Sequence, residues 1–113
     1  PERNSDRSNR RFHTNPDGAA VFELDDGWIY ISNAENLNAE GGVYGLEFDS
    51  RGYVRNYVVR LTGTTRNCSG GATPWNSWVS CEEYGKGQCW QIDPKGLRKP
   101  AKTKLVEPAG GNF

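Results

Sequence analysis

The fold is decided by residues 19–61, which read AAVFELDDGWIYISNAENLNAEGGVYGLEFDSRGYVRNYVVRL. Short runs of β-branched and aromatic residues alternate here with turn residues, such as DDG at 25–27 and SRG at 50–52. Two such runs on either side of a tight turn are typical of a β-hairpin. From Tyr44 to Phe48 every second residue is large and apolar, which is the period of a strand whose two faces differ. This stretch therefore predicts a four-stranded antiparallel sheet built from two successive hairpins.

The sequence on either side of this sheet has a different composition. Residues 1–18 are polar and lack strand or helix periodicity, and we interpret them as an exposed arm, either a solvated leader or a docking arm for an acidic partner. His13 lies in this arm and, as the only histidine, cannot form a two-histidine metal site. Residues 62–75 are rich in Gly and Thr and predict a loop. Residues 76–113 predict part of a second sheet, with its last strand at 103–106.

The order of these segments indicates an all-β class, because no window of the sequence has convincing helical spacing. A four-stranded meander of this length is typical of one blade of a β-propeller. We therefore interpret residues 19–61 as a first blade, 62–75 as a motif loop and 76–113 as a partial second blade, about one and a half blades in all. Neighbouring blades bury each other's faces, so we expect the chain to continue in a longer parent protein.

Composition and charge exclude several classes of function. The chain has 14 Lys or Arg and 14 Asp or Glu, giving a formal net charge of 0. A protein that binds nucleic acid through its phosphates needs a positive excess, so we expect no nucleic acid partner. No apolar run reaches the roughly 18 residues of a membrane helix, so we expect no transmembrane segment. The 12% aromatic content argues against a disordered chain.

The three cysteines have different settings. Cys81 and Cys89 are symmetric about Gly85 in a predicted hairpin, so they are either joined in a cross-strand disulfide or remain two buried thiols. A disulfide would indicate an oxidising compartment. Cys68 lies in the Gly-rich loop, where it is a candidate ligand or reactive thiol, although a buried structural thiol stays an alternative. The tripeptide Asn67-Cys68-Ser69 also fits a glycosylation sequon.

One run of motifs resembles a known family. The chain contains GTTRNCSGG at 63–71, TPWNSW at 73–78 and CEE at 81–83, and this arrangement resembles the PhoX family of alkaline phosphatases. Upstream, DGA at 17–19 and NAE at 33–35 resemble the family's Asp-Gly-Met and Asn-His-Glu, with alanine in place of the histidine. The resemblance covers residues 16 to 113, corresponds to an N-terminal segment, and has the character of algal or other eukaryotic relatives.

The resemblance implies a six-bladed propeller that holds Fe(III) and Ca(II) in its central channel and hydrolyses phosphate monoesters. Cys68 matches the cysteine that binds iron in the family, and the candidates for the carboxylate ligands are Glu35, Glu82 and Glu83. Glu82 and Glu83 point to opposite faces of one strand, and the sequence does not choose between them. The motif loop contributes four further residues of the family pattern, Asn67, Gly70, Gly71 and Thr73. We expect an extracytoplasmic setting: secreted, periplasmic or in an organelle lumen.

The functional prediction is a segment of a metal-dependent phosphomonoesterase that acts on a phosphate ester and packs against the remainder of its parent propeller. Catalytic residues are not assigned, because most remaining family ligands and basic residues lie in blades outside these 113 residues. The alternative is a non-catalytic propeller subunit or binding module of a larger assembly that retains the scaffold and its motif. A separate, purely structural interpretation of the motif places Trp78 in the core and makes Cys68 a buried thiol. If one cluster exists, the Cys68 sulfur should lie within roughly 8 Å of a carboxylate oxygen.

Overall fold

A computed structural model describes residues 11–105 and gives them an all-β fold. The strands of the first sheet are β1 (Pro16–Leu24), β2 (Gly27–Ala34), β3 (Gly41–Asp49) and β4 (Val54–Thr64). Those of the second sheet are β5 (Asn67–Ala72), β6 (Trp78–Glu82), β7 (Cys89–Ile92) and β8 (Ala101–Lys102). Both sheets are antiparallel with their strands in sequence order. The predicted all-β class is confirmed, and two such sheets are consistent with part of a β-propeller.

The first sheet forms where its turns and alternation predict it. Leu24 pairs with Gly27, so Asp25 and Asp26 alone make the turn between β1 and β2. In the turn between β3 and β4 the Asp49 carboxylate accepts hydrogen bonds from the backbone N–H groups of Arg51 and Tyr53, at 2.9 and 3.0 Å. An Asp side chain that satisfies the backbone two residues ahead favours a turn over a continued strand. The sheet is longer than predicted, since β1 begins at Pro16 and β4 ends at Thr64.

The second sheet contains four strands where the sequence predicted three, because the predicted motif loop is itself a strand. Within β5, Gly70 pairs with Ser80 and Gly71 pairs with Val79. A β-carbon at position 70 would lie 1.7 Å from the Val79 carbonyl oxygen, so the close approach of these two backbones needs glycine. The last strand is also displaced from its predicted position at 103–106, since the pairing with β7 involves residues 101 and 102.

Both sheets contribute to one hydrophobic core. Its buried members from the first sheet are Phe22, Ile29, Ile31, Val43 and Leu61, and from the second sheet Trp78 and Ile92. Ile29 and Ile31 are fully buried and alternate with Trp28 and Tyr30, which point to the other face of the sheet. The first sheet therefore uses one face for the second sheet and presents an aromatic face on its other side.

The segment that precedes β1 differs from the predicted exposed arm. His13 is only 8% exposed and lies against the first sheet. Its ring stacks on Tyr44 with 4.9 Å between ring centroids, and its Nε2 lies 2.9 Å from the Ser32 hydroxyl. The prediction failed for His13 because its partners lie 19 or more residues further along the chain, beyond any local pattern. Residues 1–10 of the predicted arm, and the final residue of the strand predicted at 103–106, lie outside the described residues.

Two further features bear on the setting of the protein. Cys81 and Cys89 are directly paired across β6 and β7 and are joined by a disulfide. Both cysteines are buried, and Val79 packs against them. Among residues 11–105 there is no helix with the length and apolar character needed to cross a membrane.

Candidate metal centre

Four acidic or thiol side chains lie at the same end of the two sheets. Asp17 is at the start of β1 and Glu35 directly follows β2, its antiparallel neighbour. Cys68 is at the start of β5 and Glu83 directly follows β6, again an antiparallel pair. Since neighbouring antiparallel strands begin and end at the same edge, and β1 contacts β5, all four residues converge.

The distances within this group are short. One carboxylate oxygen each of Asp17 and Glu35 and the Cys68 sulfur lie within 4.8 Å of one another. Cys68 and Glu35 are half-buried and Asp17 is exposed, so the group is open to solvent on one side. Glu83 lies close to this group, since its carboxylate is the main influence that raises the pKa of the Cys68 thiol. The sulfur and the Glu35 carboxylate thus satisfy the separation of roughly 8 Å expected for ligands of one cluster.

Backbone hydrogen bonds tie the segments of this group together. The Glu35 N–H donates to the Asn15 carbonyl at 2.8 Å, which links the end of β2 to the residue before β1. Arg66, just before β5, donates its N–H to the Asn36 carbonyl at 2.7 Å and accepts a 2.8 Å hydrogen bond from the Glu83 N–H. The loops that bear the acidic side chains are therefore attached to each other, and the spacing of those side chains is determined by the fold.

A buried polar network supports the backbone of Cys68. Asn33 is fully buried, and its side-chain N–H group donates to the carbonyl oxygens of Cys68 and Ser69, at 3.0 and 3.3 Å. Its Oδ1 accepts from the Trp78 indole at 2.9 Å and from the Ser80 hydroxyl at 2.8 Å. The amide nitrogen of Asn33 thus donates two hydrogen bonds and its amide oxygen accepts two. A buried network whose polar atoms all have partners is stabilising and rigid. Asn33 thus joins the first sheet to the Cys68 backbone.

Gly18 allows the close approach of β1 to Cys68. A β-carbon at position 18 would lie 2.9 Å from the Cys68 carbonyl oxygen and 3.3 Å from the Asn33 amide nitrogen. Both neighbours are fixed by the network, so a side chain here would push β1 away. The adjacent Asp17 would move with it, and its carboxylate would leave the thiol.

The electrostatics of the group are those of a crowded anionic site. Hydrogen bonding to the Glu83 carboxylate, followed by partial burial and by contacts with Glu35 and Asp17, raises the pKa of the Cys68 thiol well above its ordinary value. The neighbouring Asp17 carboxyl is the main cause that raises the pKa of Glu35. Negative charges at this spacing repel each other, so the group retains protons that a cation would displace.

Glu82 and Glu83 have different roles in the structure. Glu82 is 5% exposed, and its two carboxylate oxygens accept three hydrogen bonds. The donors are the backbone N–H groups of Thr65 and Gln88 and the Trp90 indole, at 2.8, 3.1 and 3.0 Å. Glu83 instead lies beside Cys68 and 3.7 Å from the Arg66 guanidinium. The structure brings Cys68, Glu35 and Glu83 together and uses Glu82 to hold the surrounding turns.

The remaining residues of the predicted motif are structural supports. Asn67 is fully buried, accepts a hydrogen bond from the Thr64 hydroxyl and donates one to the Ser80 hydroxyl. Thr73 lies at the other end of β5, where its hydroxyl accepts from the Ser77 N–H at 3.0 Å and closes the turn before β6. Gly70 is needed for the pairing with β6, whereas a β-carbon at Gly71 would meet no atom within 4 Å.

Asp17 is the member of the group that the sequence analysis did not assign. Asp17 belongs to the DGA motif at 17–19, which resembles the family pattern, and this motif is the sequence signal that could have identified it as a member of the group. Its carboxylate joins the group because β1 packs beside β5, a contact between segments 51 residues apart at Asp17 and Cys68. Nothing in the local sequence around Asp17 predicts this contact.

The fold and the group of side chains define the class of protein: an all-β protein with a candidate metal centre at its strand ends. Two carboxylates and a thiol that meet at the ends of strands form a donor set suited to a metal ion. Residues 49–104 match the family model described as alkaline phosphatase PhoX, which confirms the predicted resemblance and is consistent with a fragment of a PhoX-family protein. Searches of curated proteins and of solved structures found no match. The matched segment contains Cys68 and Glu83, while Asp17 and Glu35 precede it.

Proposed function

We propose that this chain is part of a PhoX-type phosphomonoesterase and that Asp17, Glu35, Cys68 and Glu83 are ligands of its metal centre. The observation that carries this proposal is the meeting of Asp17, Glu35 and Cys68 within 4.8 Å. The match of residues 49–104 to a phosphatase family supports the same conclusion independently of that geometry.

The donor set fits the metals of the family. Carboxylate oxygens are hard ligands suited to Ca²⁺ and Fe³⁺, and a thiolate binds iron while Ca²⁺ does not take sulfur ligands. We therefore assign Cys68 to iron and the three carboxylates to iron or calcium. When bound, such metals polarise the phosphoryl oxygens and lower the pKa of a bound water. The protein's own part is to hold its anionic ligands at short spacing, with Asn33 and Gly18 maintaining that spacing.

The proposed setting is extracytoplasmic, supported by the Cys81–Cys89 disulfide, since such bonds persist in oxidising compartments. The proposed partner is the remainder of the parent propeller. It would supply the basic residues that hold the phosphate ester and would cover the aromatic face of the first sheet. Trp28 and Phe48 lie on that face with 5.9 Å between ring centroids.

The experiment is elemental analysis and phosphatase assay of the full-length protein with Cys68→Ala. We expect loss of iron and a decrease of at least about a hundredfold in hydrolysis of p-nitrophenyl phosphate, since metal ligands supply several kcal/mol of transition-state stabilisation. Ser69→Ala is the matched control, because Ser69 is exposed and contributes only its backbone carbonyl to the Asn33 network. Wild-type protein that lacks iron and calcium and does not hydrolyse the ester would favour the non-catalytic propeller module instead. A Cys68→Ala enzyme with unchanged iron content and rate would overturn the assignment of Cys68 as a metal ligand.

A further inference from the structure

His13 is a buried titratable side chain for which the proposed function provides no role. Its ring is held at both nitrogens, by the Tyr57 hydroxyl at 2.8 Å and by the Ser32 hydroxyl at 2.9 Å. The His13 backbone N–H also donates to the Tyr57 hydroxyl oxygen, at 2.8 Å. The Ser32 hydroxyl donates its own proton to the Asn33 carbonyl at 3.2 Å, so it accepts a hydrogen bond from Nε2–H. The network thus assigns a neutral imidazole that is fixed to two strands.

The residues after His13 carry this fixation to the metal centre. The side chains of Thr14 and Asn15 both donate to Asn36 Oδ1, at 3.0 and 2.7 Å. Asn15 has a left-handed backbone with φ of 51°, and its carbonyl accepts the Glu35 N–H. Asp17 follows two residues later. The segment from 13 to 15 is therefore attached to β4, to β2 and to the loop that bears Glu35, immediately before Asp17.

We infer that His13 is a positioning residue of the metal centre: its buried contacts with Tyr57 and Ser32 hold Asn15, and Asn15 fixes Glu35 and the start of β1 at Asp17. The inference goes beyond the ligand assignment, and only its consequence for metal affinity rests on the proposed function. A segment attached solely at Asn36 would move as a loop, because those hydrogen bonds are solvent-exposed. The aromatic rings stacked with His13 instead hold this segment in one buried position.

No ion pair among the described residues explains why the His13 ring lies against the first sheet. The groups that face it are Phe12 on its own segment, Ser32 and the Asn33 backbone of β2, Tyr44 of β3 and Tyr57 of β4. No carboxylate among the described residues forms an ion pair with the ring, and burial is the main influence on its protonation. His13 therefore acts through shape and hydrogen bonds and not as a charge.

The test uses the full-length protein with Tyr57→Phe and His13→Ala. Tyr57→Phe removes the hydroxyl that binds His13 and retains the ring of the stack. Hydrogen exchange with single-residue resolution should show the Glu35 amide exchanging about tenfold faster in both variants, the shift expected from losing one buried hydrogen bond. His13→Gln, which can restore a bond to Ser32 or to Tyr57, should recover part of the protection.

The second readout is Co²⁺ as a probe metal, followed by its sulfur-to-metal charge-transfer absorption. We expect about tenfold weaker Co²⁺ binding in Tyr57→Phe and His13→Ala, and a double variant no weaker than His13→Ala, because both changes release the same segment. Ile92→Val is the control: it creates a small core defect in the second sheet and should leave the Glu35 amide and the Co²⁺ affinity unchanged.

Glu35 amide exchange that is unchanged in both variants, or changed as much by Ile92→Val, would overturn the inference. A wild-type protein that shows no charge-transfer band with Co²⁺ would overturn the proposed function instead. The exchange result then still decides whether His13 holds Asn15 and Glu35, because it is measured without metal.

Discussion

At the scale of single residues, the structure places groups where their ordinary ionisation is unfavourable. Burial lowers the pKa of His13 from 6.5 to about 4, partly opposed by a hydrogen bond with the Asn33 backbone. The surrounding carboxylates raise the pKa of Cys68 and of Glu35, so these two groups retain their protons to a higher pH. The two effects differ in origin: His13 is neutral because it is removed from water, and Cys68 is protonated because it is surrounded by negative charge.

The lowered pKa of His13 predicts how stability depends on pH. Between pH 6.5 and about 4 the unfolded chain binds a proton at His13 and the folded protein does not. Proton binding therefore stabilises the unfolded state as the pH falls, and the folded protein loses stability across this window. Urea unfolding of full-length wild type and His13→Gln at pH 7, 5.5 and 4.5 should show a steeper loss for wild type. Parallel pH dependence in the two proteins would contradict the prediction, since carboxylate titration is common to both.

At the scale of elements, the different contacts of Glu82 and Glu83 predict that one substitution changes stability and the other changes metal binding. Glu82 connects the turn before β5, the turn before β7 and the side chain of Trp90. Glu82→Gln leaves one oxygen as acceptor and places an N–H group against a donor, so we expect a loss of about 2 kcal/mol in the free energy of unfolding, with metal content retained. Glu83→Gln should do the reverse, with near-normal stability and lower metal content. Denaturant unfolding and elemental analysis of the full-length variants would check this, and equal effects of both on metal content would contradict it.

The elements also show how far sequence reasoning reached. The hairpins of the first sheet were predictable because turn residues and alternation are local properties, as at Asp49 with its neighbours Arg51 and Tyr53. Strand β5 was missed because glycine has low strand propensity, and its pairing depends on a close approach to Val79 that only the folded chain shows. Asp17 and His13 were missed for a related reason. Each has partners from another part of the chain, and no periodicity or spacing near either residue encodes them.

At the scale of the whole molecule, the first sheet has one face covered by the second sheet and one aromatic face. Val21 is directly opposite Tyr30 on this aromatic face and is 60% exposed, while the neighbouring Phe22 is buried in the shared core. A sheet with two apolar faces is typical of a stack in which each sheet lies between two others. We therefore expect the parent protein to bury Val21 against a further sheet.

This expectation predicts opposite effects of Val21→Lys in two contexts. In the isolated segment the lysine should reduce self-association and leave folding little changed, because position 21 is open to water there. In the full-length protein the same change should lower the free energy of unfolding by at least about 2 kcal/mol, since an unpaired ammonium would be buried between sheets. Leu97→Lys, at a site 82% exposed and outside both sheets, is the control and should be neutral in both. Thermal unfolding and light scattering measure the two outcomes. If full-length Val21→Lys is as stable as wild type, the aromatic face is open to solvent in the parent protein and the stacked arrangement is wrong.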